Sequence, residues 1–381
     1  MITFMLILII SVGIFIIVLS IIAGLSLLAK ASFIPKEKGV ASKGNLQNVS
    51  VIIPARNEAL RIKPLLQSLS SQNEKPLEMI VVDDESSDET ASIAKSYGCK
   101  VVSVDQALTD WKGKSAACWQ GAKAAKGSWL LFLDADTELI HKNSLTDYTS
   151  HFSKVGATGI LSVQPYHKIK KLYENLSVIF NIIVLAGMNS FFLLAKKDQA
   201  AGAFGPCILC TRTEYFQTGG HEAVGEAIMD DIVLGEVFKK AGYPVRLRLG
   251  KGFIQFRMYS EGIQSLLEGW TKGFATASKS TQSTIMLSIS MWITGAFLLP
   301  ALALSLFLLE NVTLWLFISV ALYVAYYGVL LYLSRLAGNF SPILLMFYPL
   351  FFFFFTFLFI RSSYLTKIKK RVQWRGRKVN V

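Results

Sequence analysis

The chain has 381 residues, of which 52% are hydrophobic and only 17% are charged, a balance too apolar for an ordinary soluble protein. Its 39 lysines and arginines outnumber 26 aspartates and glutamates, which gives a net charge of +13. These basic residues stand beside apolar segments and do not alternate with aromatic residues, so the sequence excludes a nucleic-acid partner and predicts contact with anionic membrane lipid.

The first predicted element is a membrane anchor over residues 1–29. No charged residue occurs from Ile2 to Ala29, and about 20 apolar residues are enough to span a bilayer. The segment is too long for the apolar core of a signal peptide, and no clear small-residue cleavage site follows it. Lysines at positions 30, 36, 38 and 43 come next, and an excess of basic residues marks the cytoplasmic flank of a span. We therefore expect an uncleaved anchor, with its N-terminus outside and the next domain, residues 48–280, in the cytoplasm.

Within this domain, predicted strands alternate with helices. Strands rich in apolar residues are predicted at 49–53, 79–82, 100–104 and 129–133, and two of the helices between them at about 89–97 and 115–125. This alternation is typical of βαβ units on a parallel sheet, and so of an α/β domain.

The strand at 129–133 is fully apolar and ends abruptly in Asp134 and Asp136. Ligands of an open α/β sheet bind at the carboxyl ends of its strands. Both aspartates are therefore placed to hold a divalent cation and a phosphorylated substrate. The alternative is an acidic turn without a ligand, because aspartate favours turns by itself.

Two further groups stand at a strand end and a helix start in the same region. Asp83 and Asp84 end the second strand, where a carboxylate can accept a hydrogen bond from a nucleobase or a ribose. The alternative is a helix-capping role together with the serines that follow them. Lys114 comes just before a helix, where a lysine and backbone N–H groups can meet phosphate; the alternative is a solvated basic loop.

Residues 172–195 are apolar enough to resemble a membrane span. A single crossing here would place Asp134 and the later pair Asp230 and Asp231 on opposite sides of the membrane, and one catalytic site cannot be divided in that way. We therefore predict a helix that lies in the membrane interface with its apolar face toward lipid. Asn181 and Asn189 within the segment also favour partial burial over hydrocarbon.

Cys207 and Cys210 have the spacing of a redox or metal pair, but the chain has only four cysteines and no second pair. No nearby histidines complete a zinc site. We expect both cysteines to be packing residues.

The next polar residues that could take part in catalysis or binding lie at 230–272. Asp230 and Asp231 open a predicted helix, where a carboxylate can act as a general base or can merely complement the helix dipole. Arg257, Trp270 and Lys272 lie between the α/β domain and the first C-terminal apolar segment. A cation there could hold a leaving diphosphate or an acceptor carboxylate, and the alternative is an interfacial belt of tryptophan and lysine.

Residues 285–360 contain three apolar segments, 285–309, 312–333 and 342–360, each long enough to span. The tail at 361–381 is strongly basic and is expected to remain in the cytoplasm. Three crossings would place this tail outside. One of the three segments is therefore expected to be re-entrant or interfacial, or else the tail breaks the rule.

Four strings, taken in this order, resemble the motifs of family 2 glycosyltransferases, which have the GT-A fold. They are PARNE at 54–58, DD at 83–84, DAD at 134–136 and DD at 230–231. The resemblance implies a Rossmann-like nucleotide-diphospho-sugar transferase domain with an N-terminal transmembrane anchor and C-terminal transmembrane helices. It also implies Mg or Mn as cofactor. The implied site residues are Pro54, Arg56, Glu58, Asp83, Asp84, Lys114 and Asp134 for the nucleotide sugar, Asp134 and Asp136 for the metal, and Asp231 beside Asp230 for base catalysis.

Longer strings resemble one branch of this family, the diaponeurosporenoate glycosyltransferases of staphyloxanthin-type carotenoid biosynthesis. They lie at 162–167, 187–189, 203–206, 218–221, 256–272 and 372–377. The resemblance implies an inverting membrane enzyme that moves glucose from UDP-glucose to the terminal carboxylate of a C30 carotenoid acid. The chain departs from the family's membrane synthases in two places: it lacks their Gln-x-x-Arg-Trp string before Trp270, and Asp230 replaces the glutamate of their Glu-Asp pair.

Two other functions are compatible with these residues. One is transfer to another lipid acceptor, such as diacylglycerol, a hydroxylated carotenoid or polyprenyl phosphate. The other is a non-catalytic membrane scaffold with a decayed transferase domain, against which the intact Asp84, Asp134, Asp136 and Asp231 argue.

Overall fold

The computed structural model describes residues 2–36, 45–105, 111–196, 199–225, 227, 229–277, 280–307, 313–365, 371–374 and 377–380. It divides into two compact units. We call Met1–Ala31, Ile169–Lys196 and Tyr259–Val381 the helical unit, and Ser32–Lys168 with Lys197–Met258 the sheet unit. Lys38 and Lys43, expected to mark the cytoplasmic flank of the anchor, lie outside the described residues, as do positions 366–370 of the basic tail.

The helical unit combines the N-terminal helix with helices from two later parts of the chain. Its helices are α1 (Ile2–Leu27), α6 (Val178–Gly187), α9 (Ile263–Ala277), α10 (Ser283–Phe307), α11 (Thr313–Ala337), α12 (Pro342–Leu345) and α13 (Tyr348–Tyr364). A 3-10 turn, Leu172–Ser177, leads into α6, and the hairpin of β11 (Arg371–Trp374) and β12 (Arg377–Asn380) follows α13. Within the described residues, three stretches are long and apolar enough to cross a membrane: Ile7–Leu27, Ser283–Leu306 and Thr313–Ala337.

Helix α1 packs against α10 through small residues. A Cβ atom at Gly24 of α1 would lie 2.6 Å from Cδ1 of Trp292 in α10. Further along the same pair of helices, Gly295 faces the hydroxyl of Ser20 at a distance that leaves no room for a Cβ. Small residues let two backbones approach closely in a membrane, where packing drives helix association. Helix α1 is therefore part of a helix bundle and not an isolated anchor.

Two apolar segments differ from the predicted elements. Segment 172–195 is not one continuous helix, because α6 ends at Gly187 and the chain then turns at Asn189, which has a φ of 64°. The side chains of Val178, Phe180 and Ile182 are fully buried. A helix that is apolar on all sides is buried in this way, whereas an interfacial helix needs a polar face.

The second difference concerns segment 342–360, which is interrupted between α12 and α13. Helix α13 has 17 residues and is shorter than the candidate spans. At 1.5 Å per residue it is about 26 Å long, less than the roughly 30 Å hydrocarbon core of a bilayer.

The sheet unit is built from alternating strands and helices. Its strands are β1 (Val49–Ala55), β2 (Glu78–Asp83), β3 (Lys100–Ser103), β4 (Trp129–Leu133), β5 (Thr137–Leu139), β6 (Ile160–Gln164), β7 (Tyr166–His167), β8 (Cys207–Thr211), β9 (Val245–Leu249) and β10 (Ile254–Phe256). Its helices are α2 (Ile62–Ser70), α3 (Thr90–Ser96), α4 (Lys114–Ala124), α5 (Ser144–Lys154), α7 (Arg212–Gln217) and α8 (Asp230–Lys240). The main sheet has the order β3-β2-β1-β4-β8-β6-β9, and β5-β10-β7 form a second, three-stranded sheet.

The predicted parallel sheet is confirmed for β1 to β4. Among the later strands, whose directions were not predicted from the sequence, β9 runs parallel to β6. Strand β8 runs antiparallel to both of its neighbours, β4 and β6. The chain reaches β8 from the edge at which β4 ends, since the carbonyl of Pro206 accepts a hydrogen bond from Asp134 N at 3.0 Å. From that edge β8 can only run back along β4.

Helix α4 is held tightly against the main sheet, and this fixes the position of Lys114 at its start. Strand β1 directs Val51 and Ile53 into the core with α2, while Ile52 faces the other side. A Cβ at Gly121 of α4 would lie 2.5 Å from Cγ2 of Ile52 and 2.8 Å from Cγ2 of Val82. Only glycine allows this approach, and it places the first residue of α4 at the carboxyl edge of the sheet.

Candidate active site

The candidate site lies at the carboxyl edge of β1 and β4, where the strand order reverses. From β1 the chain continues to β2 on one side, and β4 is added on the other side. Ligands of open α/β sheets bind at such a switch point. Ile52 of β1 pairs with Phe132 of β4, and Pro54 pairs with Val82 of β2, so the three strands end at nearly the same level.

The acidic turn after β4 is held by backbone contacts. Asp134 N donates to the carbonyl of Pro206, and Asp134 O accepts hydrogen bonds from the backbone and the hydroxyl of Thr137, at 3.1 and 2.8 Å. The carbonyl of Asp136 accepts a hydrogen bond from Arg257 N at 3.4 Å. The turn therefore has a fixed backbone, and Arg257 follows β10 directly beside Asp136.

Lys114 connects the acidic turn to the start of α8. Its Nζ atom lies 2.9 Å from Oδ1 of Asp134 and 3.5 Å from Oδ2 of Asp231. Gly113 before it has a φ of 87°, a conformation that favours glycine and lets α4 begin at Lys114. Burial alone would lower the pKa of Lys114, but Asp134, Asp231 and Asp230 raise that pKa well above its usual value. The lysine therefore carries a positive charge between two carboxylates that are 97 residues apart in the chain (231 minus 134).

Asp231 has one oxygen that is free to accept a hydrogen bond. Its Oδ1 atom is buried and has no hydrogen-bond partner among the described residues, whereas Oδ2 contacts Lys114. Burial, together with the charge of Asp230 and against the opposing charge of Lys114, raises the pKa of Asp231 to about 8. A carboxylate in this state can accept or orient a hydrogen-bond donor.

The acidic turn has a negative potential that favours a bound cation. Burial and the neighbouring charges of Asp134 and Glu58, opposed by Arg61, raise the pKa of Asp136 to about 7. No group of three or more metal-ligating side chains converges anywhere in the described part of the chain. Asp134 and Asp136 therefore fit a hard cation such as Mg or Mn if substrate phosphate oxygens complete its ligands, which is the usual arrangement for Mg.

The two aspartates that end β2 have different environments. Asp84 is 6% exposed, and its Oδ2 atom lies 3.4 Å from Nη1 of Arg56. Asp83 is less buried, and its Oδ1 accepts a hydrogen bond from Ser86 N at 3.2 Å. Asp83 thus stabilises the turn after β2 and does not cap α3, which begins at Thr90. Asp84 pairs with Arg56 at the switch point.

Glu58 lies beneath this edge of the sheet. One of its oxygens is 2.6 Å from Nε of Arg61, and its backbone N–H donates to the hydroxyl of Thr90 at 2.8 Å. The Glu58 side chain therefore acts on the site through its charge near Asp136.

Trp270 and Lys272 belong to α9 of the helical unit. The indole of Trp270 is stacked on Phe180 with 4.7 Å between ring centroids, and its Nε1 donates to the hydroxyl of Ser177 at 3.1 Å. With 8% of its surface exposed, Trp270 has the contacts of a packing residue. The side chain of Lys272 lies outside the described residues.

Residues 201–206 support Asp134 and Asp231, and this role was not predicted from the sequence. The Pro206 carbonyl holds Asp134, and Gly205 lies against the Asp231 carboxylate. The glycine and proline in this string were the available signal, but they predict only a turn. The cysteines that follow are buried, and burial raises the pKa of the Cys207 thiol to about 12, as a packing residue requires.

The Rossmann-like mixed sheet and the lysine-bridged carboxylates at its switch point define a GT-A-type nucleotide-sugar transferase. The "Glycosyl transferase family 2" model matches residues 50–215. The chain is 40% identical over 339 residues, 88% of its own length and 89% of the relative, to the 4,4'-diaponeurosporenoate glycosyltransferase of Staphylococcus aureus strain USA300. The relative from strain MRSA252 is 39% identical over the same length. The chain therefore belongs to glycosyltransferase family 2.

A solved structure supports the fold. The mannosyltransferase PcManGT from Pyrobaculum calidifontis, in complex with GDP-Man and Mn2+, matches with a TM-score of 0.50 at 16% identity. The match covers 94% of this chain and 97% of that one.

Proposed function

We propose that the protein transfers glucose from UDP-glucose, with inversion, to the terminal carboxylate of a C30 carotenoid acid. The product would be a glycosyl ester. One observation carries this proposal: Lys114 bridges Asp134 and Asp231 at the switch point, in a chain that is 40% identical to diaponeurosporenoate glycosyltransferases.

The donor would bind across the ends of β1, β2 and β4. Asp84 and Arg56, which pair at 3.4 Å, would contact the uridine, and Lys114 would contact the diphosphate. Asp134 and Asp136 would hold Mg or Mn together with phosphate oxygens, and the bound ion would offset the charge that develops on the leaving diphosphate. Arg257, whose backbone pairs with Asp136, would add a positive charge at the same edge.

In the transfer step, an acceptor oxygen attacks C1 of glucose from the face opposite the diphosphate. The new C1–O bond forms as the bond from C1 to the diphosphate oxygen breaks, and UDP leaves with the electron pair. A carboxylate acceptor has no proton to lose, so Asp231 would orient it as the protonated acid, which its raised pKa favours and which can donate a hydrogen bond. The free Oδ1 of Asp231 and its raised pKa also suit a base that deprotonates a hydroxyl, and they favour a lipid alcohol as the second candidate acceptor.

The same proposal includes the membrane topology. If α1, α10 and α11 are the spans, a chain that begins outside has the sheet unit in the cytoplasm and returns to the cytoplasm after α11. The short α13 would then lie at the cytoplasmic interface, and the basic tail would remain inside as the positive-inside rule requires. This arrangement removes the conflict between three C-terminal crossings and a basic tail.

A transfer assay in membranes tests the proposed acceptor. Labelled UDP-glucose and Mn or Mg would be supplied with a carotenoid carboxylic acid beside diacylglycerol, for wild type, Asp136→Ala and Asp231→Ala. The control is Glu89→Ala, which removes an exposed carboxylate that does not cap α3. Labelled carotenoid ester in wild type and the control, lost in both site variants, is the expected result. Label in the glyceride alone would show that the acceptor is diacylglycerol and not the carotenoid acid. Absence of any product, together with absence of metal-dependent UDP binding, would contradict enzymatic function.

A further inference from the structure

Residues 201–206, which we call the strap, connect the two carboxylate-bearing elements of the site. The hydroxyl of Ser162 donates to the carbonyl of Phe204 and accepts from its backbone N–H, both at 2.8 Å. At one end Pro206 O accepts from Asp134 N at 3.0 Å, and near the other end Ala203 N donates to Asp231 O at 3.2 Å. The strap therefore has backbone contacts with both Asp134 and Asp231.

Gly205 of the strap lies directly against the side chain of Asp231. A Cβ built on Gly205 would overlap all three terminal atoms of the carboxylate, and even the most distant of them, Oδ1, would be only 2.5 Å away. Ordinary contact begins at 3.4 Å. The carboxylate would thus have to move by roughly 1 Å or more to make room for one methyl group.

Two other glycines allow the strap to lie close to α8, but their neighbours are backbone atoms. A Cβ at Gly202 would lie 2.6 Å from the carbonyl oxygen of Ile232, and a Cβ at Gly235 would lie 2.6 Å from Ala203 N. Substitution at these two positions must move a helix or the strap itself. Substitution at Gly205 needs only a side chain to move, and Gly205 has no positive φ that would strain an alanine.

We propose that Gly205 is a positioning residue, which seats the Asp231 carboxylate against Lys114 and holds its free oxygen in the place from which it acts on the acceptor. This inference rests on the proposed function, because its consequence is seen in sugar transfer. The three atoms nearest to a Cβ at Gly205 all belong to Asp231, whereas Asp84 and Arg56, assigned to the uridine, pair with each other at the ends of β2 and β1. We therefore expect the donor to bind when Gly205 is changed.

The geometry gives an expected size for the effect. Moving the Asp231 carboxylate away from Gly205 disturbs its 3.5 Å contact with Lys114 and redirects Oδ1. A misplacement of about 1 Å in a reacting group can lower the rate by about 100-fold. Alanine at position 205 should therefore lower kcat by about this factor, while the fold and the binding of UDP with Mn are retained.

The test compares Gly205→Ala with Gly328→Ala and Gly202→Ala in the full-length protein in detergent. A Cβ at Gly328 would meet nothing within 4 Å, so this variant is the matched control for a glycine-to-alanine change. We expect Gly205→Ala to lose transfer with an unchanged thermal midpoint and an unchanged Kd for UDP with Mn. Gly202→Ala should lower the thermal midpoint, and Gly328→Ala should match wild type. Retention of full transfer by Gly205→Ala, or loss of UDP binding, would overturn the inference.

A double-mutant cycle shows whether Gly205 acts through Asp231. If it does, adding Gly205→Ala to the Asp231→Asn variant should not lower the rate of transfer further. Labelled donor makes the slow transfer by these variants measurable. An equal loss in both backgrounds would mean a general structural role and would overturn the inference. Full activity of Asp231→Asn would also overturn the inference. Wild-type protein that makes no glycosylated product with any acceptor would instead contradict the proposed function, so the two failures are distinguishable.

Discussion

Replacement of Lys114 by methionine should change the affinities for metal and for nucleotide in opposite directions. Methionine keeps most of the side-chain volume and removes the charge that lies between Asp134 and Asp231. Because Lys114 is 2.9 Å from Asp134, its charge opposes a divalent cation on that aspartate. The same charge would attract the donor diphosphate. We therefore expect Lys114→Met to bind Mn alone more tightly than wild type and to bind UDP in the presence of Mn more weakly.

The size of the nucleotide effect follows from the charge separation in the site. Two unit charges 3.5 Å apart, the distance from Lys114 to Asp231, attract by about 5 kcal/mol at an effective dielectric constant of about 20. The three side chains are 31%, 27% and 22% exposed, and water screens part of this energy. A lysine–diphosphate contact of similar length is then worth about 2–3 kcal/mol, or a roughly 30- to 150-fold increase in the Kd of UDP.

Calorimetry of detergent-solubilised protein with Mn, and then with UDP at saturating Mn, measures both effects. Lys112→Met is the matched control, because Lys112 is exposed and lies two residues away in the same loop. A Kd for UDP that stays at the wild-type value would refute contact between Lys114 and the diphosphate. Weaker binding of Mn alone would refute the repulsion argument.

Three further changes test the packing inside each of the two units. Burial lowers the pKa of His221 from 6.5 to about 4, so this histidine takes up a proton in the unfolded protein before it does so in the folded protein as the pH falls. The stability of wild type relative to His221→Gln should therefore drop by about 3 kcal/mol between pH 6.5 and 4. A difference in thermal unfolding that does not depend on pH would contradict this. Gly121→Ala should cost about 1–3 kcal/mol by overpacking against Ile52 and Val82, and Val82→Ala in the same chain should restore part of the thermal midpoint. Trp270→Ala should lose about 3–5 kcal/mol of stability and Trp270→Phe about 1 kcal/mol. An unchanged midpoint with lost transfer in Trp270→Ala would instead indicate ligand contact.

Sequence patterns predicted the half of the sheet that depends on local signals. Strands β1 to β4 and helix α4 follow from short apolar runs and from the helical segments between them. Strand β8 could not be oriented in the same way, because its direction depends on where the chain returns after Lys168 and on the Pro206 contact with Asp134. The same limit applies to α6, whose apolar sequence is compatible with a lipid surface or with a buried position.

The candidate site shows a similar division. The carboxylates at strand ends were predictable, since a strand that ends in acidic residues places them at the ligand edge. The different roles of Asp83 and Asp84 depend on side-chain direction at the end of β2, which places one near Ser86 and the other near Arg56. The bridge by Lys114 and the seat at Gly205 depend on contacts between residues far apart in the chain, which no local pattern encodes.

The helical unit contains two kinds of packing contact. The candidate spans α1 and α10 meet through small residues such as Ser20 and Gly295. The shorter elements are joined by side-chain hydrogen bonds: Ser362 of α13 donates to Thr271 O in α9, and Asn175 accepts from Ser341 N before α12. A hydrogen bond of this kind also joins two candidate spans, since the hydroxyl of Tyr326 in α11 donates to the carbonyl of Trp292 in α10 at 2.6 Å. These polar groups therefore have partners within the helical unit, as a surrounding without water requires.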